Sequence, residues 1–147
     1  MISDPETSAK LEFKVELERR VKAPIERVFQ LLLEELGPRA TTPDSNPLSM
    51  KLEPFPGGRW YRDLGDGNGH HWAHVQAIRS PDLLELTGPL FMSLPVCNNV
   101  QYRLSEADGT TTLRLVHSAF GPVPDDTREG MSKGWEAQLD RIESRFR

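Results

Sequence analysis

One cysteine, two tyrosines and no long apolar run mark what this 147-residue chain does without. A single thiol, Cys97, cannot close an internal disulfide, which predicts a reducing, cytoplasmic setting. No uninterrupted apolar stretch approaches the ~20 residues that a membrane-spanning helix needs, so no membrane span is expected. Basic charge is short as well. Lys and Arg number 18 against 22 Asp and Glu, and a net charge of −4 speaks against a nucleic-acid partner, which would call for a basic face. The opening "MISDPETSAK" is polar and lacks the apolar core of a secretory leader. Repeats and low-complexity segments are absent too.

What is present suits an ordinary globular chain, with 37% hydrophobic and 27% charged residues. Its length predicts one domain over 1–147, with residues 1–9 as a flexible tail. In "KLEFKVELERRV", residues 10–21, Leu11, Phe13, Val15 and Leu17 alternate with charged residues, the period of a half-buried strand. The period then changes. Ile25, Val28, Phe29, Leu32 and Leu36 fall on one helical stripe, with Pro24 at the first helical position and Gly37-Pro38 as the stop. "RATTPDSNPLS" reads as a loop. "MKLEPFPGGRWYRDLG" reads as two strands about a Pro56-Gly57-Gly58 turn, "HHWAHVQAIR" and "LLELTG" as two more, and "GPLFMSLP" as an irregular crossing.

"VCNNVQYRLSEADGTTTLRLVHSAF" is the clearest hairpin, with Val96, Val100, Tyr102 and Leu104 facing Leu113 and Leu115. The last segment is an amphipathic helix with Met131, Trp135, Leu139, Ile142 and Phe146 on its stripe. Asp126 and Glu129 stand in capping-box spacing, and Glu143 with Arg147 forms an i,i+4 pair. A sheet apolar on one face needs a cover, and this helix is the long one available.

"VKAPIERVFQLL", "MKLEPFPGGRW", "WAHVQAI", "PDLLELTG", "TTTLRLVHSAFG" and "EGMSKGWEAQLDRI", in that order, resemble the START-like (SRPBCC) superfamily. Within it they look most like the bacterial branch homologous to the activator of the heat-shock chaperone ATPase. The resemblance runs from Glu12 to Phe146. It implies an α+β helix-grip fold: a curved antiparallel sheet of about six or seven strands wrapped around a long C-terminal helix, with a short helix after the first strand and a cavity between sheet and long helix. A stress-response setting is implied with it. The chain departs from many relatives at "GPRATTPDSNPLS", where they carry a second short helix and aromatic residues, and at Ala73, where glycine is common.

"GDGNGHHWAHVQAIRS" needs separate weighing, because glycines followed by His70, His71 and His74 could suggest a phosphate loop or a metal centre. A dinucleotide fingerprint needs a strand before its glycines and a helix after them, and here a strand follows. Asp, Asn and Gly at 66–69 are the residues of a hairpin turn. Strand parity puts His70 and His74 beside Trp72 and sends His71 the other way, so three ligands would not converge without a bulge. Cys97 falls on the outward parity of its strand with no basic neighbour in sequence to activate it. No metal and no cofactor is expected.

His117 continues the parity of Leu113 and Leu115 into the cavity. It can be a buried histidine bonded to neighbours or a polar anchor for a ligand, and both readings stand at this stage. Asn98 and Tyr102 share the inward parity of their strand, and Met131 and Trp135 face them from the helix. Together with Phe29, Trp60, Trp72 and Leu115 they form the candidate ligand-binding set, and no residue is assigned a catalytic role. The leading expectation is non-enzymatic binding of a small hydrophobic or aromatic molecule by a monomer or weak dimer. The alternatives are a module that acts on a protein partner, such as a chaperone, and a cyclase- or hydrolase-like catalyst with His117 as acid or base.

Overall fold

The computed structural model describes residues 11–146. The expected tail at 1–9 and the pairing of Glu143 with Arg147 lie outside the described residues. Strand β1 (Glu12–Val21) leads into helix α1 (Ile25–Leu36). Six strands follow: β2 (Met50–Leu52), β3 (Arg59–Gly65), β4 (Asn68–Arg79), β5 (Leu83–Gly88), β6 (Cys97–Ala107) and β7 (Thr110–Phe120). Helix α2 (Asp125–Ser144) ends the chain. The seven strands form one antiparallel sheet in the order β1-β7-β6-β5-β4-β3-β2. This is the helix-grip arrangement.

Period-two patterning sets the buried face. On β6, Asn98, Val100, Tyr102 and Leu104 point inward, and on β7 Thr111, Leu113, Leu115, His117 and Ala119 do the same. The hairpin register places Tyr102 opposite Leu115 and Leu104 opposite Leu113. Val96 lies just before β6, buried but outside the ladder. Two tight turns carry the same dipeptide. Asp66-Gly67 and Asp108-Gly109 both sit at positive φ, the mirror-image turn that matches strand twist, and glycine is the second residue because it carries no Cβ to clash there.

Both helices cover the inner face. α2 packs against β1 and α1, so α1 shares the role that the sequence assigned to the terminal helix alone. Leu139 and Ile142 are fully enclosed, and each fully buried aliphatic side chain contributes about 1.5–3 kcal/mol. On α1 the buried stripe is Val28, Phe29, Leu31, Leu32, Glu35 and Leu36, wider than the periodicity predicted by Leu31 and by one carboxylate.

Three local expectations are corrected. Pro24 is the N-cap of α1 and not its first helical residue, with its carbonyl receiving Arg27 and Val28 N–H. The capping box at α2 does not form, because Pro124 takes the N-cap position and its side chain offers no acceptor. Asp126 turns to the Thr127 N–H at 2.9 Å, and with Asp125 it places negative charge in the first turn, where the helix dipole favours it.

The third correction concerns β4. Trp60 pairs with Ala73 and Tyr61 with His71, so Trp72 is the extra residue of a β-bulge. A bulge resets parity. His70 lies opposite Arg62 on the inner side, whereas His71 opposite Tyr61 and His74 opposite Arg59 share the outer side. His74 therefore does not accompany His70 and Trp72. Among the described residues no group of three or more His, Cys, Asp or Glu side chains could hold a metal ion. Nor, among the described residues, is any helix long and apolar enough to cross a membrane.

Candidate functional site

The inner face of β2–β4 is not fully covered. Between it and α2 lies a cleft of about 480 Å³, within the size range of small-molecule pockets. Met50, Trp60, Arg62 and Trp72 form its sheet wall. Gly130, Met131, Gly134, Trp135, Gln138 and Arg141 form its helix wall, and Glu35 of α1 closes one side. The loop after α1 supplies Ala40, Thr41, Thr42, Pro43 and Leu48, and the crossing before β6 supplies Leu90 and Phe91. The segment in which the chain departs from its relatives, 37–49, is thus part of the cleft's rim.

Helix α2 keeps the space open by what it omits. Gly130 and Gly134, four apart, lie on one face, and a Cβ added at either would meet no atom within 4 Å. Glycine inside a helix costs about 1 kcal/mol relative to alanine, so two of them here give up helix stability for empty volume. The crossing is anchored from the other side. Leu90 N–H donates to the Trp72 carbonyl at 2.7 Å, at the β4 bulge, and Leu90 holds a left-handed φ of 58°, which bulky residues seldom adopt.

All three tryptophans line the cleft, and all three indole N–H groups are taken. Trp60 Nε1 donates to the Leu36 carbonyl at 2.8 Å, Trp72 Nε1 to His70 Nδ1 at 3.1 Å, and Trp135 Nε1 to His117 Nδ1 at 3.0 Å. The rings pack edge to face, Trp60 with Trp72 at 5.1 Å between centroids, and Phe91 lies 6.1 Å from Trp72. With their donors committed, the indoles offer the cleft carbon surface.

His117 stands behind this wall. Because Nδ1 accepts from Trp135, the neutral ring carries its proton on Nε2, which donates to Asn98 Oδ1 at 2.8 Å. Asn98 Nδ2 then donates to the Gly88 carbonyl at 3.1 Å. The relay from helix to sheet is complete at every atom. Burial lowers the His117 pKa from 6.5 to about 4, so the ring is neutral near pH 7. Tyr102, fully buried, donates its hydroxyl to Gln138 Oε1 at 2.7 Å, and burial raises its pKa.

The structure therefore divides the sequence-predicted set. Trp60, Trp72, Met131 and Trp135 are on the cleft wall. Phe29, Asn98, Tyr102, Leu115 and His117 are buried and lie outside its lining. Arg62, Glu35, Gly130, Gly134, Leu90 and Phe91 are wall residues that the sequence reading passed over. The glycine pair left a usable signal, since two glycines at i,i+4 inside an amphipathic helix mark a face without side chains.

Charge on the wall is sparse. Glu35, with its side chain 1% exposed, accepts from Arg141 Nε at 3.2 Å through Oε2. Its Oε1 has no hydrogen-bond partner among the described residues, and Arg145 approaches it only to 4.0 Å. This pair ties α1 to α2 at the edge of the cleft. Arg62 donates Nε to the Leu48 carbonyl at 3.1 Å.

An antiparallel sheet gripping a long C-terminal helix, with an apolar cleft between the two, defines the START-like class. Over residues 22–147 the chain matches the family described as "Activator of Hsp90 ATPase homolog 1-like protein", and it belongs to that family. Among solved structures it is similar to CalU16 from Micromonospora echinospora, with 21% identity and a TM-score of 0.65 over 91% of this chain and 74% of that one. Protein MLL2253 from Mesorhizobium loti is 22% identical with a TM-score of 0.67, over 89% of this chain and 94% of that one. Ara h 8.0201 is 16% identical with a TM-score of 0.66, over 92% and 97%. At these identities the likeness is one of fold. No curated protein matches the chain.

Proposed function

We propose that the protein binds a small apolar or aromatic molecule, without turning it over, in the cleft between the sheet and α2. The observation that carries this reading is the Gly130–Gly134 face. On the helix wall of the cleft two glycines face open space beside three tryptophan rings. Planar aromatic ligands stack well on such rings, and apolar walls with few polar handles are usual for small-molecule pockets. Binding without catalysis is supported by His117, whose two ring nitrogens are both engaged within the protein. The START-like scaffold is typically a holder of hydrophobic ligands, which agrees with this reading.

Titration with the neutral fluorophore N-phenyl-1-naphthylamine tests it. The expected result is saturable fluorescence enhancement with quenching of tryptophan emission, and its loss in Gly134→Leu, which fills the cleft, with the circular dichroism spectrum unchanged. Linear, non-saturating uptake, or full binding by Gly134→Leu, would contradict the proposal. The family's description also supports a second reading, action on an Hsp90-like chaperone. Stimulation of a chaperone ATPase by the Gly134→Leu protein would favour that reading and separate it from ligand binding.

A further inference from the structure

We infer that the ligand of this cleft is an anionic amphiphile, whose carboxylate is received by Arg62 while its apolar body lies against the tryptophans. The inference rests on the ligand-binding reading above and specifies the chemistry of the ligand. Strand register fixes where Arg62 stands. It pairs with Met50 on one side and His70 on the other, on the inner face of the sheet, so its side chain belongs to the cleft wall.

Arg62 is half-buried, and one hydrogen bond already sets its direction: Nε donates to the Leu48 carbonyl at 3.1 Å. Among the described residues its two terminal nitrogens have no acceptor, and no carboxylate pairs with it. The next residue, Asp63, pairs with Lys51 at 2.7 Å instead. A guanidinium anchored through Nε keeps its outer edge free for a carboxylate.

The charge balance of the wall points the same way. Arg141 forms an ion pair with Glu35 through Oε2 at 3.2 Å, which leaves Arg62 as the charge without an ion-pair partner among the described lining residues. A cation beside apolar surface loses hydration when a ligand fills the cleft, and a ligand that brings a carboxylate offsets that loss best, because a charge-assisted bond is stronger than one to a neutral acceptor. A neutral ligand offers Arg62 at most a weaker bond to a carbonyl and leaves its charge unpaired. A cationic one adds repulsion. The indole N–H groups cannot substitute as anion donors, because each is held by a protein acceptor.

Three probes with the same ring separate the terms: 2-naphthoate, the neutral 2-naphthamide and 2-naphthylmethylammonium, each used to displace N-phenyl-1-naphthylamine. The wild-type protein should bind naphthoate about tenfold more tightly than naphthamide, the effect of one partly exposed charge-assisted contact, and should bind the ammonium compound least. Arg62→Gln should hold naphthamide as before and lose the preference for naphthoate. Arg114→Gln, a change to an exposed arginine outside the cleft, should keep the preference. Equal affinity of the wild-type protein for naphthoate and naphthamide would overturn the inference with the binding reading intact. Persistence of the preference in Arg62→Gln would overturn it as well. Failure of all three probes to bind would overturn both. The wild-type comparison needs no variant, so it decides even if Arg62→Gln does not fold.

Discussion

His117 is held neutral by its surroundings, and this makes stability depend on pH. Burial lowers its pKa from 6.5 to about 4. Between those values the unfolded chain binds a proton that the folded chain does not, so stability rises with pH across the interval. The contribution is fully present above about pH 6.5 and is lost as pH falls toward about 4, a total of about 3 kcal/mol. Protonation at Nδ1 would also turn the acceptor of the Trp135 N–H into a second donor and part the helix from the sheet. Urea unfolding at about pH 7.5 and about pH 5 should show a falling midpoint in the wild-type protein and a flatter response in His117→Gln. Equal slopes in the two proteins would mean that His117 is not the titrating group. Strand parity in the sequence placed this residue inward correctly. Its partners were less legible: Asn98 lies 19 positions away and Trp135 lies 18 away, and spacing carries no signal for bonds that only the closed fold creates. Arg62 was passed over for a similar reason. A charged residue on an alternating strand looks like part of the solvent face until the neighbouring loop is seen to roof it.

Among the elements, α2 and β4 differ most from the ideal of their class. The apolar stripe of α2 was readable, and Met131, Trp135, Leu139 and Ile142 are all buried. What its periodicity could not show was the second face, where Gly130 and Gly134 leave room. We expect Gly130→Ala and Gly134→Ala each to raise unfolding stability by about 1 kcal/mol, because a Cβ meets nothing and the helix gains propensity. Thermal and urea unfolding would show it, and a loss of stability in either variant would mean that the face is already filled. On β4 the bulge at Trp72 is invisible to a period-two pattern, since one extra residue changes parity without changing composition. That is why plain strand parity groups His74 with His70 and Trp72, whereas the bulged strand places it on the side of His71. The same bulge lets the Trp72 carbonyl hold Leu90, so the irregularity that defeats the pattern also brings the crossing segment to the cleft.

For the whole molecule, sheet, helices and turns were legible because each rests on local periodicity or turn chemistry. The cleft was legible only as a likeness to a family, since a void is the one feature that side-chain patterning does not record. Its position is nonetheless sharply reportable, because the chain has three tryptophans and all three stand on its wall. Each indole N–H is hydrogen-bonded to a different acceptor, so the three should give separate resonances in a proton–nitrogen correlation spectrum. The decisive measurement is that spectrum recorded through a titration with 2-naphthoate. Binding in the cleft predicts that the indole signals of Trp60, Trp72 and Trp135 all move, saturably and with one dissociation constant, together with the amides of Gly130 and Gly134. Stationary indole signals at saturating ligand, or shifts confined to the outer face around His71 and His74, would contradict the account.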